Sequence, residues 1–180
     1  MSTETTLRLN ARVGDLYHAH QLAWEVMRQG RDNVRRDFLF RFHRLNDATL
    51  FQFRPVDKVF DFKVGAEMSF TLDAAPCVRT DEGRKNLVAR SIMETDGAVN
   101  WMNKQAARNG FDINSIKAVS VNDSCVKKGS RFGLVLWTFT GLLIVTDASR
   151  FNHAMQHGIG RMRSFGQGML VVKTLSGATH

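Results

Sequence analysis

Two phenylalanine-rich runs, Phe38 to Leu45 and Thr49 to Pro55, are joined by the turn formers Asn46 and Asp47. Both runs alternate, with Phe38, Phe40 and Phe42 on one side of the first and Phe51 and Phe53 on one side of the second. A period of two predicts an antiparallel hairpin with one apolar face. A lone hairpin is marginal in water, so that face must be covered. The preceding segment supplies the cover. Leu7 to Val13 alternates as a half-buried strand, and Gly14-Asp15 breaks it and caps a helix. In that helix Leu16, Ala19, Ala23, Val26 and Met27 recur at three- and four-residue spacing up to about Gln29, with Gly30 placed as a C-cap.

Val59 to Val64 is a weaker strand before Gly65, and a second cycle begins at Glu67. Met68 to Cys77 alternates as a strand, Arg79 to Ser91 is a charged, mobile connection, and Gly97 to Asn109 reads as a helix ended by Gly110. Strand-like segments at Ile116 to Val121 and Phe132 to Val145 flank a basic turn, Asp123 to Arg131. A last helix, Asp147 to His157, leads through a glycine-rich stretch into a closing strand, Leu170 to Lys173. The order β-α-β-β-(β), then β-α-β-β-α-β, predicts an α+β protein of two tandem ferredoxin-like (RRM-like) domains, residues 1–65 and 66–180. The halves share no clear sequence repeat, and the first lacks an obvious second helix.

At 180 residues and 43% hydrophobic content, the chain has enough apolar surface for these cores. Its 25 Lys and Arg against 17 Asp and Glu give a formal net charge of +8, an excess that favours a polyanion such as nucleic acid. Several of the phenylalanines lie in alternating, strand-like runs, and nearly all of them are assigned to packing rather than base stacking. Cys77 and Cys125 lie far apart with no CxxC or Cys/His pairing. That spacing indicates neither a zinc knuckle nor a disulfide framework, and a reducing cytoplasm fits it. Residues 1–9 show no signal sequence, and no apolar stretch reaches the roughly 18 residues of a membrane span, so no membrane partner is expected.

The stretch from Gly158 to Gly168 holds four glycines, Gly158, Gly160, Gly166 and Gly168, among Arg161, Arg163 and Ser164. Glycine permits positive φ and close approach, so successive N–H groups can converge on an anion while Arg163 and Ser164 add side-chain donors. A tight helix-to-strand turn explains the same residues. It is not a Walker loop, because no Gly-Lys-Ser/Thr comes after four spacers, nor a Rossmann fingerprint, because it lies after a helix and opens a strand.

Tyr17 and His20 are i, i+3 neighbours on the first helix, with His20 at the edge of the apolar stripe and Trp24 on the same flank. An imidazole gives or takes a proton near neutral pH and a phenol can orient a hydroxyl, so the pair suits proton transfer at one reacting group. An aromatic core edge with a hydrogen-bonded histidine is the alternative. His153 and His157, at i, i+4, lack the glutamate of a metalloprotease motif and a third ligand, so no metal and no other cofactor is expected. Basic residues gather in three places: Arg28, Arg31, Arg35 and Arg36; Lys127, Lys128 and Arg131; and Arg161 and Arg163. Such clusters suit phosphate contacts along a nucleic-acid groove.

Together, Asp15-Leu16-Tyr17-His18-Ala19-His20-Gln21-Leu22-Ala23-Trp24, Arg36-Asp37-Phe38-Leu39-Phe40, Val64-Gly65 and the Gly-Ile-Gly loop with Gly166-Gln167-Gly168-Met169-Leu170 resemble the CasE-type CRISPR repeat endoribonucleases. These are the crRNA-processing subunits of type I-E Cascade. The resemblance runs from the first strand to the last, and its specific parts are the N-terminal helix and the C-terminal loop. It implies two ferredoxin-like domains, binding of the CRISPR repeat hairpin, and cleavage at the hairpin base without a metal. The upstream ribose 2′-OH would attack the adjacent phosphate, leaving a 2′,3′-cyclic or 3′-phosphate and a 5′-OH. The product would stay bound beside other Cascade-type effector subunits.

The resemblance further places the family's histidine at His20, acting in proton transfer as base or acid, and its tyrosine at Tyr17, positioning the scissile groups. It gives the glycine loop the task of gripping the RNA backbone. Three departures stand out. Arg163 replaces the lysine common in the family's loop, Gln167 stands where Cys is frequent, and the Arg79 to Ser91 connection is short. A non-catalytic hairpin-binding subunit of a type I-E or type IV-like effector fits the same fold. An enzyme for a phosphorylated small molecule would need a pocket rather than an open basic face.

Overall fold

The computed structural model describes residues 4–29, 35–79, 85–87 and 95–175. Three strands, β1 (Thr5–Leu9), β2 (Phe38–Arg44) and β3 (Thr49–Pro55), form an antiparallel sheet in the order β1-β3-β2, and α1 (Leu16–Arg28) packs on its phenylalanine face. The register sets Leu7 opposite Phe51 and Phe40 opposite Phe53, so the apolar residues share one side. The helix starts where Asp15 accepts the N–H groups of Tyr17 and His18 at 2.7 and 3.0 Å, and it buries Leu16, Ala19 and Ala23. It ends at Arg28, and Gly30 lies outside the described residues.

Two expected strands are altered. β1 stops at Leu9 rather than Val13, because Leu9 already faces Thr49, the first residue of β3. The Thr49 hydroxyl then replaces the ladder, donating to Ala11 O and accepting the Val13 N–H, both at 2.9 Å. Val59 to Val64 is not a strand. Its alternation serves aromatic packing instead: Phe60 and Phe62 stack at 5.6 Å, Phe62 meets Phe151 edge-on at 5.1 Å, and Val59 and Val64 are left exposed.

The second half opens with β4 (Glu67–Ala74). β5 (Cys77–Arg79) pairs with β6 (Lys85–Leu87), so the expected connection contains a strand, and the rest of it lies outside the described residues. Next come α2 (Thr95–Arg108), β7 (Phe111–Lys127), β8 (Ser130–Val145), α3 (Ala148–His157) and β9 (Val171–Thr174). The sheet order β7-β8-β4-β9 is second, third, first and fourth strand of a β-α-β-β-α-β unit, which is the ferredoxin-like arrangement. The first sheet repeats that arrangement for its first three strands, without a second helix or a fourth strand among the described residues. The α+β class read from the element order is therefore the observed one. Phe70, Leu72, Phe139 and Leu143 form the second core with Met102 of α2 and Phe151 of α3.

The basic turn is far shorter than its sequence suggests. β7 and β8 pair as far as Lys127 and Ser130, which leaves only Lys128 and Gly129, with φ of 51° and 80°, as a two-residue turn of the primed type. Asn122, Asp123 and Ser124 interrupt the hydrophobic alternation and hide the strand. β4 pairs with β8 only from Trp137 onward, so the rest of the hairpin stands out as a two-stranded arm. Cys125, Leu134 and Leu136 of this arm pack with Leu16 and Tyr17 of α1.

Buried arginines on the face of the first sheet opposite its phenylalanines bind the halves together. Arg54, 1% exposed, donates to Glu4 at 2.6 Å, Met155 O at 3.0 Å and Leu170 O at 2.8 Å. Arg41 meets Asp73 of β4 at 3.0 Å, and Thr138 donates to the same carboxylate at 2.7 Å. Met155 and Leu170 stand before and after the glycine segment, so Arg54 clamps both of its ends.

Candidate functional site

Helix α1 meets the glycine segment through His20, whose Nδ1 lies 2.7 Å from the main-chain oxygen of Ser164. A carbonyl can only accept, so Nδ1 donates its proton there and the neutral ring keeps its free lone pair on Nε2. The ring of Phe165 lies 5.3 Å from that of His20, Tyr17 stacks at 6.0 Å, and Trp24 meets it edge-on at 6.2 Å. Tyr17 and His20 are half-buried, while His18 is exposed. The neighbouring pair expected from i, i+3 spacing is present. Its main-chain partner has no signature in any side-chain pattern.

All four loop glycines have positive φ. At Gly168 a Cβ would come within 2.4 Å of Ile159 O, and at Gly166 within 2.8 Å of the Phe42 ring, so these positions require glycine for both backbone and space. The loop's amides are used inwardly. Gly158 donates to Ala154 O at 2.8 Å, Gly166 to Arg163 O at 3.3 Å, and Gly168 to Asp73 O at 2.6 Å. Three of the four glycine N–H groups are thus turned away from any anion, and the convergent amide nest expected from composition does not form at them. The segment, with a short 3₁₀ turn at Arg163–Phe165, works as a brace that holds the Ser164 carbonyl against His20.

The arginines divide by environment. Arg163 donates to His157 O at 2.7 Å, closing the carbonyl end of α3. Partial burial and the nearby Arg163 charge push the Arg36 pKa down, so these two cations already repel one another, which favours an anion between them. Arg28 lies over the Trp24 ring at 5.4 Å, and Arg35 and Arg161 are exposed. Arg31 lies outside the described residues. Lys127 ends β7, Lys128 is exposed in the turn, and Arg131 is exposed on β8. His153 and His157 stack face to face at 4.2 Å, and no three His, Cys, Asp or Glu side chains come together as a metal site among the described residues. Among the described residues, no helix is long and apolar enough to cross a membrane.

Sequence reasoning passed over Arg41, Arg44 and Arg54. The available signal was their position in phenylalanine-rich strands, where a charged side chain is either solvated or tightly paired. Their partners, Glu4 for Arg54, Asp73 for Arg41 and Asp123 for Arg44, are far away in sequence, so only the folded chain shows the pairing.

The fold and site define a tandem ferredoxin-like protein with a histidine helix braced by a glycine loop. The model of the CRISPR associated protein family matches residues 44–174, and the chain belongs to that family. CRISPR system Cascade subunit CasE of Escherichia coli strain K12 is 23% identical over 189 residues, covering 89% of this chain and 93% of that protein. CRISPR endoribonuclease Cse3 bound to a 19-nucleotide RNA superposes with a TM-score of 0.74 at 18% identity, over 94% of this chain and 99% of that one. Cas6e of Escherichia coli K-12 gives 0.72 at 20% identity, over 96% and 99%.

Proposed function

We propose that this chain is a metal-independent endoribonuclease that binds the CRISPR repeat hairpin, cleaves precursor crRNA and stays on its product as a subunit of a Cascade-type effector in the cytoplasm. Residues 1–65 carry the catalytic helix, and residues 66–180 carry the hairpin arm and the glycine loop. The contact between His20 and Ser164 O supports this reading best, because it leaves Nε2 available for a proton. In the proposed step Nε2 takes the proton of the ribose 2′-OH, the 2′-oxygen bonds to phosphorus, and the bond to the 5′-oxygen breaks as that oxygen takes a proton from solvent water, the imidazolium afterwards returning its own proton to solvent. The Ser164 carbonyl stabilises the charge that arrives on the ring. Tyr17 orients the reacting groups, and Arg36 and Arg163 oppose the charge developing at phosphorus. Arg28, Arg31, Arg35, Lys127, Lys128, Arg161 and Ser164 contribute to holding the RNA.

A repeat hairpin with 2′-deoxyribose just upstream of the cut binds normally and stays intact. Cleavage of that substrate at the same bond, seen on a denaturing gel, removes the internal-attack mechanism. Lys128→Asn keeps a residue suited to positive φ in the turn while deleting a charge. The plot of log affinity against log salt becomes shallower by about 1, the loss of a single phosphate contact. An unchanged slope makes the arm tip a solvated surface.

A further inference from the structure

An open groove of about 620 Å³ lies where the Arg12–Gly14 segment faces the hairpin arm, lined among others by Arg12, Gly14, Asn122, Ser124, Arg131 and Gly133. Nothing in the proposed cleavage step uses it. Its single acid is neutralised: Asp123 takes two hydrogen bonds from Arg44, at 2.8 and 3.2 Å, and a third from the Ser124 N–H at 2.7 Å. Arg44 also donates to Val13 O at 2.8 Å, which fixes one wall to the other. Arg12 and Arg131, exposed on opposite lips, make no ion pair or hydrogen bond among the described residues. The groove lining therefore carries two uncompensated positive charges beside a neutral, tied ion pair.

The glycines of this groove differ from those of the loop. Gly14 and Gly133 have no positive φ, and a Cβ on either would meet nothing within 4 Å. Neither backbone strain nor packing demands glycine there. A side chain at either position would project only into open space at the groove, and in β8 a β-branched residue would suit the strand better than glycine does. The register places Asn122, Ser124, Arg131 and Gly133 on one face of the arm, so amide, hydroxyl and guanidinium donors share a surface that glycine keeps low.

We infer that this groove holds an unpaired nucleotide segment flanking the hairpin, with Arg12 and Arg131 on its phosphates and Asn122 and Ser124 within reach of its sugar or base. The size accommodates this ligand. About 620 Å³ lies within the roughly 300–1,000 Å³ of sites for small ligands, room for about one or two nucleotides. Its location agrees, since Gly14 immediately precedes Asp15, the cap of the helix that carries Tyr17 and His20. The inference rests on the RNA-processing role proposed above.

The test compares the bare repeat hairpin with hairpins carrying a short unpaired extension on the 5′ side or on the 3′ side. One extension tightens binding by about tenfold, as expected for charge-assisted hydrogen bonds to phosphate. Gly133→Val, which puts a branched side chain into the groove, and Arg12→Gln, which alters only an exposed and unpartnered side chain, each abolish that gain while leaving bare-hairpin affinity in place. The inference is overturned if neither extension helps, or if the gain survives both variants. Failure of the bare hairpin itself to bind wild-type protein refutes the RNA-processing role instead.

Discussion

His20→Ala slows single-turnover cleavage of the repeat hairpin by about 10²-fold or more, the usual worth of a general acid or base, while hairpin affinity changes little. The half-buried ring touches Tyr17, Trp24 and Phe165, so thermal melting must show that the variant remains folded. Tyr17→Phe gives a smaller loss in the same direction, because the ring stays in its cluster and only the hydroxyl goes. His18→Ala, an exposed neighbour on the same helix, is the control and cleaves normally. Near-normal cleavage by folded His20→Ala would return His20 to a packing role and leave the chain as a hairpin-binding subunit.

Arg54→Met lowers unfolding stability by about 3–5 kcal/mol, the usual cost of removing one partner from a buried charged network. The change strips Glu4 of its principal partner and leaves the carbonyls of Met155 and Leu170 without their donor. Because these carbonyls bracket the glycine segment, cleavage falls as well, through displacement of the Ser164 oxygen from His20. Denaturant melts measure the first effect and single-turnover rates the second. A midpoint within error of wild type would show that the clamp does not hold the two halves together.

The same network sets a pH dependence. Burial alone would raise the Glu4 pKa, but the charge of Arg54 and the hydrogen bonds from Arg54 and Lys58 outweigh it, and the carboxyl sits below its ordinary 4.5. A lowered folded-state pKa makes this contribution complete above the ordinary value, and it is lost as pH falls through the folded one.

Periodicity and capping carry most of the fold. The alternation of Phe38, Phe40 and Phe42 gave β2 its face, Asp15 its role as cap, and the spacing of Leu16, Ala19 and Ala23 the buried stripe of α1. Where local pattern failed, a distant partner had decided. The Phe60 and Phe62 alternation answered to Phe151 rather than to a neighbouring strand, and the polar residues of β7 masked a ladder that β8 imposes.

The site divides in the same way. The amino-acid sequence by itself determined that Tyr17 and His20 share a helix flank, because helical geometry makes i and i+3 neighbours whatever surrounds them. It also determined which residues carry charge and where glycine permits positive φ. Only the tertiary structure decided that the glycine segment braces a histidine, that its amides at Gly158, Gly166 and Gly168 turn inward, and that Arg54 clamps its ends. The reason is physical: those contacts run through main-chain carbonyls, which every residue possesses alike, so sequence does not mark them and long-range packing alone brings them together.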